Sequence, residues 1–192
     1  MQQHASRRTV ALGLGAASLA SLAPSIAFAA DGDYSEPEVI GAANRFFGAG
    51  AEGLADVVHK VFNETGRPNG YIQGQEAAGA IGVGLRYGEG RLHLLHRRQT
   101  TRVFWQGPSL GFDVGGDGAK SFTLVYGMTD PDQVFQRFPG VEGSAYYVGG
   151  VGVNYQRAEG ITLAPIRFGV GLRLGANVGY LAYTRKRHVL PF

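Results

Sequence analysis

The chain has 192 residues, 44% of them hydrophobic, with 18 basic residues against 15 acidic ones. That length suits one domain with a core of its own, and that apolar content argues against disorder. The absence of cysteine excludes thiol catalysis, disulfides, a lipoprotein anchor and every thiolate metal site.

Residues 1–29 read as a cleaved signal peptide. Arg7 and Arg8 form a charged start, Val10 to Leu22 an apolar stretch, and Ala27-Phe28-Ala29 a small-x-small box before Ala30. The stretch is short and Ala/Gly-rich, a poor match to a hydrocarbon layer about 30 Å thick. Ser6-Arg7-Arg8-Thr9-Val10-Ala11-Leu12 is similar to a twin-arginine leader but lacks the usual Phe-Leu-Lys ending, so both export routes stay open. The expected location is the periplasm, with no membrane span in the mature form. Arg7 and Arg8 are the only charges in the leader, so the mature part is close to neutral and gives no electrostatic argument for nucleic acid.

Residues 30–70 read as a helical segment. Ser35 precedes Glu36-Pro37-Glu38, a cap followed by Pro and acids in a first turn, and this helix runs to about Phe47. Leu54, Val57, Val58, Val61 and Phe62 then recur at helical spacing and form one apolar stripe. Gly66 and Pro68 end that second helix.

From Tyr71 the period changes to two. Ile81 to Tyr87, Val151 to Tyr155 and Phe168 to Leu174 alternate large apolar residues with small or charged ones. Further strands are expected at Leu92–Leu95, Thr101–Gln106, Leu110–Val114, Ser121–Tyr126 and Val178–Tyr183. A short helix with cap, Pro and acid in order is expected at Asp130–Phe135. Residues 71–192 thus read as a mainly β fold, a small Gly-rich antiparallel β-barrel of about ten strands. The N-terminal helices pack against it and belong to the same domain. Gly82 to Gly88 and Gly169 to Gly175 agree at six of seven positions. Such an echo is compatible with two related halves of one barrel or with convergence on an easy strand pattern, and the repeat of only one segment favours convergence. Glycine falls repeatedly opposite the aliphatic positions. A bare strip of this sort permits sharp closure of a small barrel, or the docking of a helix such as the one at residues 54–62.

Three stretches carry a family resemblance: Tyr71-Ile72-Gln73-Gly74-Gln75-Glu76, the run Gly82 to Gly90, and the run Gly107 to Lys120, above all its part Gly111-Phe112-Asp113-Val114-Gly115-Gly116-Asp117-Gly118-Ala119-Lys120. Together they resemble the alphaproteobacterial envelope integrity protein A family, over about Ser35 to Thr184. The resemblance implies a periplasmic barrel with a role in maintaining the cell envelope and no known enzymatic activity; no cofactor is expected. It also implies a shape related to SYLF-type lipid-binding domains, and hence a lipid ligand. The family offers no agreed functional residues to carry over.

Several motifs invite other chemistry. Gly107-Pro108-Ser109-Leu110-Gly111 fits the hydrolase G-x-S-x-G pattern, but strand-like residues flank it on both sides, where the motif needs a strand-to-helix elbow. Gly115 to Ser121 looks like a phosphate loop, yet a strand follows it where a helix N-terminus is required. His93 and His96 point to opposite faces of a strand, and with His59 they make no metal site. Arg97, Arg98 and Arg102 cluster with Trp105, and Arg185-Lys186-Arg187 lies near the end of the chain. Arg97, Arg98, Arg102 and Trp105 are the candidate ligand-binding residues, suited to a lipid phosphate, although arginines also simply blunt a strand end. The terminal Phe192 suggests an outer-membrane barrel. His188 and Lys186 on the same face and Pro191 in the strand argue against it.

The expected function is a non-enzymatic envelope protein that binds a lipid or other apolar ligand. The alternatives are a purely structural interaction module with exposed aromatics such as Tyr146, Tyr147 or Trp105, and a serine hydrolase using Ser109.

Overall fold

The computed structural model describes residues 33–48, 53–111, 119–141, 146–168 and 179–188; the side chains of 78–83, 109–111, 148 and 168 are outside that description. The leader, the loop at 115–118, the tail at 189–192 and all but the first residue of the strand expected at Phe168–Leu174 lie outside it too.

Helix α1 spans Glu36–Phe47. The Glu38 carboxylate turns back to accept from the Ser35 backbone N–H at 2.8 Å and from its hydroxyl at 2.6 Å, which closes the first turn. Helix α2 spans Leu54–Thr65, and its buried residues Leu54, Val57, Val58 and Val61 are the apolar stripe read from the sequence. Gly66 ends it at φ 84°, a left-handed conformation that favours glycine, and its N–H donates to the Phe62 carbonyl at 2.8 Å.

The strands are β1 Gly70–Leu94, β2 Thr101–Gly111, β3 Ala119–Tyr126, β4 Arg137–Pro139, β5 Tyr146–Val148, β6 Val151–Val153, β7 Gln156–Ala158, β8 Ile161–Phe168 and β9 Tyr180–Thr184. All pairings are antiparallel, in the order β4-β9-β2-β1-β3-β8-β6-β5, with β7 paired to β8. A 3₁₀ turn at Pro131–Val134 is capped by Asp130, whose side chain accepts from Asp132 N–H at 2.9 Å.

The strands expected at Ile81–Tyr87 and Leu92–Leu95 are parts of one 25-residue strand. Its first arm, Gly70 to Glu76, pairs with β3, and its second, Gly82 to Leu92, pairs with β2. The arms also face one another. A Cβ built on Gly74 would come within 2.9 Å of the Gly90 Cα, and one on Gly70 within 2.8 Å of the His93 carbonyl. Glycine at these facing positions lets the sheet curl until its two arms touch.

The curled sheet has two cores. Ile72, Leu92, Val103, Trp105, Val125, Phe138, Leu163, Leu181 and Tyr183 fill its concave side. Phe122, Leu124, Tyr126, Val151, Val153 and Ile166 face outward and are covered by α1 and α2. Phe46, Phe47 and Tyr71 surround Phe122 at ring-centroid distances of 6.3, 6.3 and 5.1 Å. The helices therefore dock on aromatic and aliphatic side chains. The described glycine strip serves the approach of β1 to itself. Residues Ser121 to Tyr126 are all buried, because the helices close the face that a two-sided barrel strand would show to water.

Candidate functional site

A cleft of about 480 Å³ opens where the two arms of β1 meet β2 and the segment that follows β9. Its size falls in the range of about 300–1,000 Å³ common for ligand pockets. Ala77, Tyr87, Phe104 and Trp105 supply its apolar lining; Gln75, Glu76, Glu89, Gln106, Arg187 and His188 supply the polar groups.

Strand alternation explains the floor. Ile72, Gly74 and Glu76 share the concave face of β1, as do Gly88, Gly90 and Leu92 on its return. Trp105 points inward from β2 and is 3% exposed. Its indole occupies the space left by Gly88 and Gly74: a Cβ on Gly88 would overlap the ring, and one on Gly74 would lie 2.5 Å from Cη2. Trp105 is the only tryptophan of the chain.

The Trp105 Nε1–H donates to Glu76 Oε2 at 3.1 Å. The other carboxylate oxygen faces Arg167 Nε at 2.6 Å and Arg86 Nε at 3.7 Å. Arg167, on β8, also donates through Nη1 to Asn154 Oδ1 at 2.7 Å. The side chains of Glu76 and Arg167 are 5% and 6% exposed. Burial pushes the Glu76 carboxyl up, but the Arg167 and Arg86 guanidiniums and the indole N–H outweigh it and hold the group below the usual carboxylate range. Both oxygens are engaged. Tyr183 stands close by, its phenol pushed up by burial.

A second carboxylate repeats this arrangement at the mouth. Glu89 Oε2 accepts from Arg187 Nη2 at 3.1 Å and from Arg102 Nη2 at 3.2 Å. Those two hydrogen bonds hold its carboxyl below the usual range. The side chains of Arg102 and Arg187 are 67% and 70% exposed. The Arg102 guanidinium also lies 4.9 Å from the centre of the Phe104 ring.

The four residues singled out from the sequence therefore separate. Trp105 lines the cleft and Arg102 stands at its mouth. Arg97 lies in the β1–β2 connection, pairs with Asp130 at 3.1 Å and lines no part of the cleft. Arg98 is exposed in the same connection. Trp105 is buried, which removes it from the exposed aromatics; Tyr146 is part-buried and donates to the Val57 carbonyl at 3.1 Å. The Glu76–Arg167–Arg86 cluster was not read from the sequence.

Ser109 lies within β2, paired with Gly84, so no strand-to-helix elbow presents it. His93 stacks on Tyr71 with ring centroids 4.7 Å apart, while His96 and His59 are exposed elsewhere. Among the described residues no group of three or more His, Asp or Glu gathers as metal ligands. No described helix is long and apolar enough to cross a membrane.

The sequence model for envelope integrity protein A matches residues 32–192. The chain belongs to the envelope integrity protein A family. This family member is also similar to a β-barrel-like, uncharacterised protein of Brucella abortus known from a crystal structure. The two are 45% identical, the match covers 84% of this chain and 99% of the other, and the TM-score is 0.76. No curated protein matches the chain. The family name ties the envelope integrity protein A fold to the cell envelope, and the barrel-like relative agrees with the curled sheet described above.

Proposed function

We propose that this protein is exported to the periplasm and supports the cell envelope by binding an apolar or lipid-like ligand in the Trp105 cleft, without chemistry of its own. The observation that carries this reading is a largely apolar cleft set over a carboxylate whose two oxygens already face the Trp105 indole N–H and the Arg167 guanidinium. A general base works best with a pKa near the working pH. Glu76 is held low and blocked on both oxygens, so it serves as a fixed strut. Ser109 lies within strand β2 rather than at a strand-to-helix elbow, which argues against hydrolysis.

The test is native mass spectrometry of protein released from the periplasm by osmotic shock without detergent. A small-molecule adduct, removable by organic extraction and diminished by Phe104→Ser, is the expected result. Bare protein in every preparation, or a chain that stays in the cytoplasm, refutes the reading.

One observation favours a second reading. Among the described strands β5 ends the sheet, and its Tyr147 is 44% exposed, the one exposed large hydrophobic among the described residues. An exposed sheet edge beside an aromatic can accept a partner's strand. Crosslinking from position 147 in cells would give one reproducible envelope partner on this reading, and scattered products otherwise.

A further inference from the structure

Two carboxylates and four guanidiniums meet at the cleft. Glu76 is shared by Arg167 and Arg86, and Glu89 by Arg102 and Arg187. At the mouth two exposed guanidiniums, Arg102 and Arg187, share the single carboxylate of Glu89, so that end of the cleft carries an excess of positive charge. Its lining also includes Ala77, Tyr87, Phe104 and Trp105, beside the neutral polar Gln75 and Gln106. Charge of one sign around an apolar recess selects a ligand by the sign of its polar end.

We infer that the cleft takes an amphiphile with an anionic head, a carboxylate or phosphate carried on an alkyl or acyl chain. The chain lies against Trp105, Tyr87 and Phe104, and the head meets Arg102 and Arg187. The outer pair receives the head because it is exposed, whereas Arg167 is buried against Glu76 at 2.6 Å and donates to Asn154. Arg102 and Arg187 are long, exposed and paired with Glu89, and a guanidinium binds a planar or tetrahedral oxyanion through paired N–H donors. Their exposure makes the preference sensitive to salt. This inference rests on the cleft being an apolar-ligand site and adds the sign and position of the ligand's head.

The sole tryptophan lines the cleft, so a heavy atom on the ligand's chain reports binding by quenching it. Purified protein is titrated, below micelle formation, with ω-bromoundecanoate, ω-bromoundecyl phosphate, ω-bromoundecanol and the matching trimethylammonium, with inorganic phosphate as competitor. The expected result is saturable quenching by the two anions, on the order of tenfold tighter than by the alcohol in dilute salt and converging with it in high salt. The cation is weakest and inorganic phosphate does not compete. Arg102→Gln/Arg187→Gln, two surface substitutions, removes the preference for the anions and leaves alcohol binding intact. Equal binding of anion and alcohol, or a preference that survives the double substitution, overturns the assignment of the head while the apolar site stands. Competition by inorganic phosphate alone overturns the amphiphile in favour of a simple anion site. Quenching by none of the four compounds removes both the inference and the ligand reading beneath it.

Discussion

Replacing Glu76 by Gln keeps the side chain's shape and removes its charge. Arg167, buried to 6% exposure, and Arg86, at 18%, then face each other with no carboxylate between them. Breaking a buried ion pair from one side costs about 3–5 kcal/mol, because the remaining charge stays out of water without compensation. For a domain of this size that lowers the melting temperature by roughly 6–20 °C, at about 2–4 °C per kcal/mol. The assay is thermal and urea unfolding followed by far-UV circular dichroism and Trp105 emission. The acid limb gives an independent check. The Glu76 carboxyl has a lower pKa folded than unfolded, so its contribution is complete above the unfolded value of about 4.3 and drains as the pH falls towards the folded one. Glu76→Gln should therefore flatten the loss of stability below about pH 5. Glu76→Gln/Arg167→Met, which also removes one stranded guanidinium, should be more stable than Glu76→Gln alone. A single variant that loses less than about 1 kcal/mol, or strict additivity in the double variant, refutes a buried charge network that ties β1 to β8.

Three other substitutions probe separate parts of the fold. Gly88→Ala places a methyl group in the space of the Trp105 ring, so it should cost about 1–3 kcal/mol and alter the near-UV circular dichroism of the indole. Phe122→Ala empties the site between the sheet and α1; a loss of about 3–5 kcal/mol is expected, with faster amide exchange in residues 36–47. Tyr155→Phe removes the 2.7 Å hydrogen bond from its hydroxyl to Glu64 on α2, and equilibrium unfolding should register about 0.5–1.5 kcal/mol. In the wild type the Tyr155 phenol is pushed up to about 12, mainly by burial and then by that carboxylate, and its alkaline titration should lie accordingly high.

The helices were legible because their signals are local. Ser35-Glu36-Pro37-Glu38 is a start signal, the residues from Leu54 to Phe62 make a stripe, and Gly66 is a stop. Asp130-Pro131-Asp132-Gln133 announced its turn in the same way. The strands were legible as a period but not as objects. Nothing local says that Ile72 and Leu92 belong to one strand whose arms touch, since the contact of Gly74 with Gly90 is a property of the curled sheet. The cluster beneath the cleft was hidden for a related reason. Alternation from Ile72 through Gly74 places Glu76 on the inner face, but an acid in Gln-Gly-Gln-Glu reads as surface, because a charge goes inside only with partners. Those partners, Arg167 and Arg86, are far away in the chain or across the bend. One trace was present: Ile166-Arg167-Phe168 sets an arginine between large apolar residues, in a strand covered on both sides.

The outer core sets the order in which the protein can be completed. α1 and α2 come first in the chain, but the surface they cover is built from β3, β6 and β8, the last of which ends at Phe168. A chain emerging from its N-terminus therefore holds Val57, Val58 and Val61 uncovered until most of its length has appeared. Contacts of such long range form slowly and leave sticky surface open meanwhile. While that surface is open the chain depends on protection from aggregation, in whichever compartment it folds.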